Sequence, residues 1–276
     1  MTSVPGRPRR LHPQSLRALE LAADQPSVAA PGFDADGVRC RLLVPEHAVR
    51  TCVYLHGGGF VLGDLDTHDA QARRLAVRTG SAVLSVDYRR PPEHRFPAAP
   101  DDVTTALGWW HRHAGDHGLD PARTVAVGDS AGANLALVAA LREPGTLAAL
   151  VLVYPFLDPT TSRASYGLAD GGLTRDEANW YWWQYARGPA DLTDPDLAPL
   201  RSPRLATLPP TLVQIAGCDV LVDEDTELVR LLEAAGVEVR ATTYDGMVHG
   251  FWRHPELFDD AELALEEVAA FLHIHV

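Results

Sequence analysis

A chain of 276 residues with 37 acidic and 24 basic side chains carries a formal charge of -13, which argues against nucleic acid or an anionic membrane surface as its partner. The three cysteines, Cys40, Cys52 and Cys218, are odd in number and lie in or beside apolar runs, so they read as free thiols in a reducing cytoplasm, not as a disulfide framework. No apolar run approaches the length of a membrane span, and Arg7, Arg9 and Arg10 are not followed by the apolar core of a secretory signal.

In chain order, residues 1 to about 10 read as a terminal arm, and Leu11, Leu16, Leu19 and Leu21 place an amphipathic helix over 12–23. Strand-like runs at 39–44 and 51–55 are separated by Pro45-Glu46-His47 and are expected to pair as a hairpin or meander. The second runs into His56-Gly57-Gly58-Gly59-Phe60, where three glycines without Cβ atoms leave backbone N–H groups open to a ligand. A helix over 67–79 stops at Gly80, a continuous apolar strand covers 82–86, and a turn-rich stretch leads to a helix from Asp101 to about His113. His111, His113 and His117 do not make a metal site: 111 and 113 point to different faces of a helix, and no cysteine or ordered acidic set joins them. They are expected to face solvent, and neither a metal nor a cofactor is called for.

The apolar run from Thr124 to Val127 ends in Gly128-Asp129-Ser130-Ala131-Gly132 and turns at once into an alanine-rich helix reaching Leu141. A serine on so sharp a strand-to-helix turn needs neighbours without bulk, and this context makes Gly-x-Ser-x-Gly a nucleophile elbow. Another apolar strand follows at 147–154. Residues 158–203 then break the alternation with a turn-rich insertion around Trp180-Tyr181-Trp182-Trp183-Gln184-Tyr185, preceded by Thr174 as N-cap and Glu177 as its capping-box partner. Strand and helix alternate again at 211–216, 223–235, 237–244 and 259–272. Such alternation implies a mostly parallel central sheet with helices on both faces.

In an open parallel sheet the loops at the carboxyl ends of the strands share one rim, where ligands bind. The glycine loop, Ser130, Asp219 and His249 all follow strands, so they can converge. A serine hydroxyl needs a base within hydrogen-bond reach, and the base needs an acceptor that fixes its tautomer. His249 and Asp219 supply those roles, with Asp223 as the fallback acid, and the chain order Ser, Asp, His is that of α/β-hydrolases. Ala131, the residue after the nucleophile, offers one oxyanion donor, and the glycine loop offers the others.

Together these motifs resemble the bacterial hormone-sensitive-lipase-like family of α/β-hydrolase esterases: His56-Gly57-Gly58-Gly59, Asp87-Tyr88-Arg89 with Pro92-Glu93, Gly128 to Gly132, Asp219 with Asp223-Glu224, and Val248-His249-Gly250-Phe251. The resemblance implies an α/β-hydrolase fold with a small helical lid. It also implies Ser130 as nucleophile, His249 as general base and acid, Asp219 as orienting acid, and Gly58, Gly59 and Ala131 as oxyanion donors. Asp87, Tyr88 and Glu93 are then structural. The implied division is an arm and partial lid over 1–38, a core over 39–157 and 204–276, and a lid insertion over 158–203. Phe60, Trp180 and Trp183 are the expected pocket residues, the other lid aromatics packing the lid onto the core. The family's proline after the acid and arginine two residues later are replaced by Val220 and Val222, and the segment before the first strand is short, which suggests an open pocket.

The expected activity is cleavage of a small-molecule carboxylic ester with a small to medium acyl group, through an acyl-enzyme. The same residues serve an N-acetyl amide hydrolase acting on a biosynthetic product. A non-catalytic ligand-binding member is disfavoured by the presence of His249. The outer strand of the sheet is an edge open to pairing with a second copy.

Overall fold

The computed structural model describes residues 32–167 and 172–276. The arm and the helix expected over 12–23 lie outside the described residues.

Eight strands form one sheet: β1 (Phe33–Ala35), β2 (Val38–Leu43), β3 (Thr51–Leu55), β4 (Ala82–Val86), β5 (Thr124–Asp129), β6 (Ala149–Val153), β7 (Thr211–Ala216) and β8 (Val239–Tyr244). Their spatial order is β1-β2-β4-β3-β5-β6-β7-β8. β1, β2 and β4 pair antiparallel, and every pair from β4 through β3 to β8 is parallel. The expected pairing of the runs at 39–44 and 51–55 is corrected here: β2 pairs with β4, Cys40 opposite Val86, and β3 lies on the far side of β4. The reason is burial. β3 is buried at all five positions and takes a central place, whereas β2 carries exposed Arg39 and half-buried Arg41 and belongs nearer the edge.

Helices α1 (Asp69–Thr79), α2 (Ala98–His113), α3 (Ala131–Arg142), α4 (Arg175–Tyr185), α5 (Val222–Ala234) and α6 (Asp260–His275) flank or surmount the sheet. The two-residue period of a strand divides the core. Cys52 and Tyr54 of β3 join Val125 and Val127 of β5 on the face covered by α1 and α6, while Val53, Leu55 and Ala126 join the cluster that holds α2, α3 and α5. Arg74 of α1, only 8% exposed, ties the first layer together by donating to the Trp252 carbonyl at 3.2 Å and to Glu262 of α6 at 2.8 Å. That clamp holds the short turn Phe251–Arg253, which begins two residues after His249.

The histidines of the α2 region differ from expectation. His117 is exposed, but His113 stacks on Trp109 with centroids 4.4 Å apart and His111 has its Nε2 buried. The His113 ring gains an apolar partner in Trp109, and its Nδ1 lies 2.8 Å from the Trp109 carbonyl. α4 lies beside the carboxyl ends of the strands, where Glu177 and Tyr181 line the same cavity as Ser130, and it is begun by the expected capping box, in which Thr174 and Glu177 satisfy each other's backbone N–H groups. Among the described residues no helix is long and apolar enough to cross a membrane.

Candidate active site

Ser130 stands between β5 and α3 at φ 55° and ψ -120°, a left-handed backbone that a side chain rarely adopts and that lifts Oγ clear of both elements. Its own N–H is occupied, donating to the Val153 carbonyl at 2.9 Å. The flanking glycines are required by contact: a Cβ on Gly128 would stand 2.3 Å from the Gly132 carbonyl, and one on Gly132 would stand 1.9 Å from the Leu55 carbonyl oxygen. Strand, turn and helix therefore approach as closely as bare backbone permits.

His249 Nε2 lies 2.9 Å from Ser130 Oγ, and Nδ1 lies 2.6 Å from Asp219 Oδ2. A carboxylate only accepts, so Nδ1 carries the proton and Nε2 is left to accept from the serine. Asp219 is fully buried, and its other oxygen accepts the Leu221 N–H at 3.2 Å. Val220 where the family carries proline therefore leaves the acid's backbone contact in place. Asp223 is turned elsewhere and accepts the Ser165 N–H at 2.8 Å. Burial pulls the His249 imidazole toward its neutral form; the charge and hydrogen bond of Asp219 push the other way, helped by Asp129 and Glu177, and the net pKa is raised.

The glycine loop is fixed from beneath. Asp129, the variable residue of the elbow motif, accepts the Gly57 N–H at 3.1 Å and the Tyr54 hydroxyl at 2.8 Å. Tyr88 donates to the His56 carbonyl at 2.7 Å and stacks on the His56 ring at 4.4 Å. Burial drives the pKa of His56 down to about 3, so it packs as a neutral ring. Asp87 holds Arg90 at 2.6 Å, and Glu93 is exposed. Gly58 and Gly59 have φ of 113° and 60° and line the cavity beside Ser130. Ala131 is the first residue of α3, where a helical N–H has no partner within the helix and the dipole favours negative charge.

The cavity holds about 370 Å³. Gly58, Gly59, Ser130 and His249 line it, but Phe60, Trp180 and Trp183 do not. Phe60 is fully buried, stacked on Tyr185 at 3.9 Å, because the turn after the glycines directs it into the core. Trp180 and Trp183 are 47% and 66% exposed on the outer side of α4. The aromatic of α4 that does line the cavity is Tyr181, with Glu177 one turn before it, and Tyr154 joins them from the end of β6. Which face of α4 meets the cavity is set by how the helix seats on the core. Ala178, Trp182 and Tyr185 form the buried stripe of α4, which leaves Glu177 and Tyr181 on an adjoining face. Tyr154, at the carboxyl end of a strand, was marked by position alone. Among the described residues no group of three or more histidine, cysteine, aspartate or glutamate side chains is placed to hold a metal ion.

A family model described as the alpha/beta hydrolase fold matches residues 52–253, and the chain belongs to that family, in its hormone-sensitive-lipase-like esterase branch. It is 37% identical over 239 residues to the ethyl acetate hydrolase of Pseudomonas putida, covering 84% of this chain and 75% of that protein. It is 39% identical over 236 residues to the carboxylic ester hydrolase LipN of Mycobacterium tuberculosis, covering 81% of this chain but only 63% of LipN. The structure of a hyperthermophilic esterase from the archaeon Pyrobaculum calidifontis superposes with a TM-score of 0.85 at 35% identity, covering 94% of this chain and 89% of that one.

Proposed function

We propose that the protein is a serine carboxylic ester hydrolase that cleaves esters of small to medium acyl groups through an acyl-enzyme. The observation that carries this reading is the unbroken line from Ser130 Oγ through His249 to Asp219, opening on a cavity that also bears Gly58 and Gly59. His249 Nε2 takes the hydroxyl proton as Oγ attacks the ester carbonyl. The negative charge that develops on the carbonyl oxygen is met by the N–H groups of Ala131, Gly58 and Gly59, each worth about 3 kcal/mol of barrier. The proton then passes from His249 to the departing alcohol, and water repeats the sequence to release the acid. Asp219 keeps the imidazole in the required tautomer throughout.

A cavity of about 370 Å³ suits a small ester, and the ethyl acetate hydrolase relative supports short acyl groups. Residues 158–203 act as the lid, contributing Leu173, Glu177 and Tyr181 to the cavity wall. The three unpaired cysteines fit a reducing compartment.

Turnover of p-nitrophenyl acetate and butyrate tests the assignment. Ser130→Ala abolishes it, and undiminished turnover in that variant overturns the reading. Asp219→Asn lowers kcat on the order of 10⁴-fold, while Asp223→Asn stays near the parent. N-acetyl amides assayed beside the esters decide the leaving atom: preference for the amides would reassign the protein as a deacetylase.

A further inference from the structure

The wall of the cavity beside the glycine loop is formed by one large ring. Tyr181 lies so close to the loop that a Cβ built on Gly59 would stand 2.2 Å from its Cδ1 and 2.3 Å from its Cγ. The third glycine of the loop is thus required by this ring as well as by its φ of 60°. The mount is rigid. Trp182 and Tyr185, on the adjoining face of α4, are locked against Phe60 at 5.2 and 3.9 Å, and Trp182 packs on Phe156 at 4.3 Å. The capping box fixes the start of the helix, and Trp180 meets the Tyr181 ring edge-on at 5.2 Å.

The reacting carbon of an ester has four directions to fill. Ser130 Oγ takes one, the oxyanion points to Gly58, Gly59 and Ala131, and the departing oxygen must lie within reach of His249 Nε2. The fourth direction belongs to the acyl chain, and the side of the cavity along the glycine loop is walled by Tyr181. Resting on the serine-esterase reading above, we infer that Tyr181 sets the length of the acyl chain the enzyme accepts, admitting acetyl to butyryl groups and stopping longer ones against its ring. The ring acts by bulk, so its hydroxyl is dispensable. Trp183, exposed on the outer side of the same helix, has no part in it.

The test separates the two ends of the substrate. With p-nitrophenol as the constant leaving group, kcat/KM is measured for acetate, butyrate, octanoate and decanoate; with acetate as the constant acyl group, it is measured for ethyl, butyl and octyl alcohols. Tyr181→Ala raises the octanoate-to-acetate ratio at least roughly tenfold, the scale of discrimination by a few methylenes in an apolar pocket. Tyr181→Phe and Trp183→Ala leave that ratio within about twofold, the range expected when pocket volume is unchanged. Tyr181→Trp, which adds bulk, lowers the butyrate-to-acetate ratio, so the inference stays testable even where the alanine variant fails to fold. In all variants the order along the alcohol series is unchanged. A folded Tyr181→Ala enzyme with the parental acyl ratio, or one whose alcohol series moves in its place, overturns the inference. Absence of ester turnover in the parent enzyme would instead remove the serine-esterase reading on which it rests.

Discussion

His249 shows how opposed effects are settled at a single residue. A buried imidazole on its own would be neutral well into the acid range, yet the fully buried carboxylate of Asp219 lies 2.6 Å away, and its attraction outweighs the cost of burial. A general base must be unprotonated, so kcat/KM for a neutral ester falls as pH drops through a pKa raised above the ordinary 6.5. The pH profile should therefore show its acid limb centred above that value. Glu177→Gln, which removes one of the raising charges, moves the limb toward lower pH; a limb at or below 6.5 in the parent enzyme would contradict the balance described. That Ser130, His249 and Asp219 come together could be read from the sequence, because each follows a strand and their chain order matches that of α/β-hydrolases. Tyr181 could not be singled out from its aromatic neighbours, because which face of α4 meets the cavity depends on how Trp182 and Tyr185 seat in the core.

At the scale of elements, the β5–α3 corner is specified locally and tightly. The Gly132 Cα is pressed on the Leu55 carbonyl of β3, so the corner also joins α3 to the strand that leads into the glycine loop. Gly132→Ala forces α3 off β3 and costs about 3 kcal/mol, the upper end for an overpacked core, measurable as a lower midpoint in urea. Gly188→Ala, where a Cβ meets nothing within 4 Å, stays within about 0.5 kcal/mol of the parent. Equal losses at the two sites would show that contact at the corner is not what the glycine serves. The pairing of β2 and β3 illustrates the opposite case. A short proline-containing link suggested a hairpin, but nothing in the link records that β4, which begins only at Ala82, would come between them.

Across the whole molecule, the acid side of the site rests on an unusual concentration of buried carboxyls. Asp219, Glu224 and Asp225 are all fully buried. Glu224 accepts the Leu157 N–H at 2.7 Å and the Tyr166 hydroxyl at 3.2 Å, which ties the start of the insertion to α5. Neither oxygen of Asp225 has a hydrogen-bond partner among the described residues. Burial, reinforced by Glu224 and Asp219, raises its pKa well above the ordinary carboxyl value. The folded protein thus keeps a proton that the unfolded chain releases near pH 4. Stability from this group is fully present below that pH and is lost as pH rises toward the folded pKa. Asp225→Asn removes the loss, so the Tm of the variant relative to the parent should rise between pH 5 and pH 8. A difference in Tm that does not change with pH would show that Asp225 is not held protonated.

The sequence by itself determined the alternation of strands and helices, the elbow, the capping box and the strand ends on which Ser130, Asp219 and His249 stand, because each rests on short-range rules: side-chain period, glycine at crowded turns, polar caps. Tertiary structure alone decided which strand occupies the centre of the sheet, that Phe60 turns into the core, and that Tyr181 meets the cavity while Trp180 and Trp183 face outward. Those outcomes depend on competition for buried space among segments far apart in the chain, and no local pattern records who wins it.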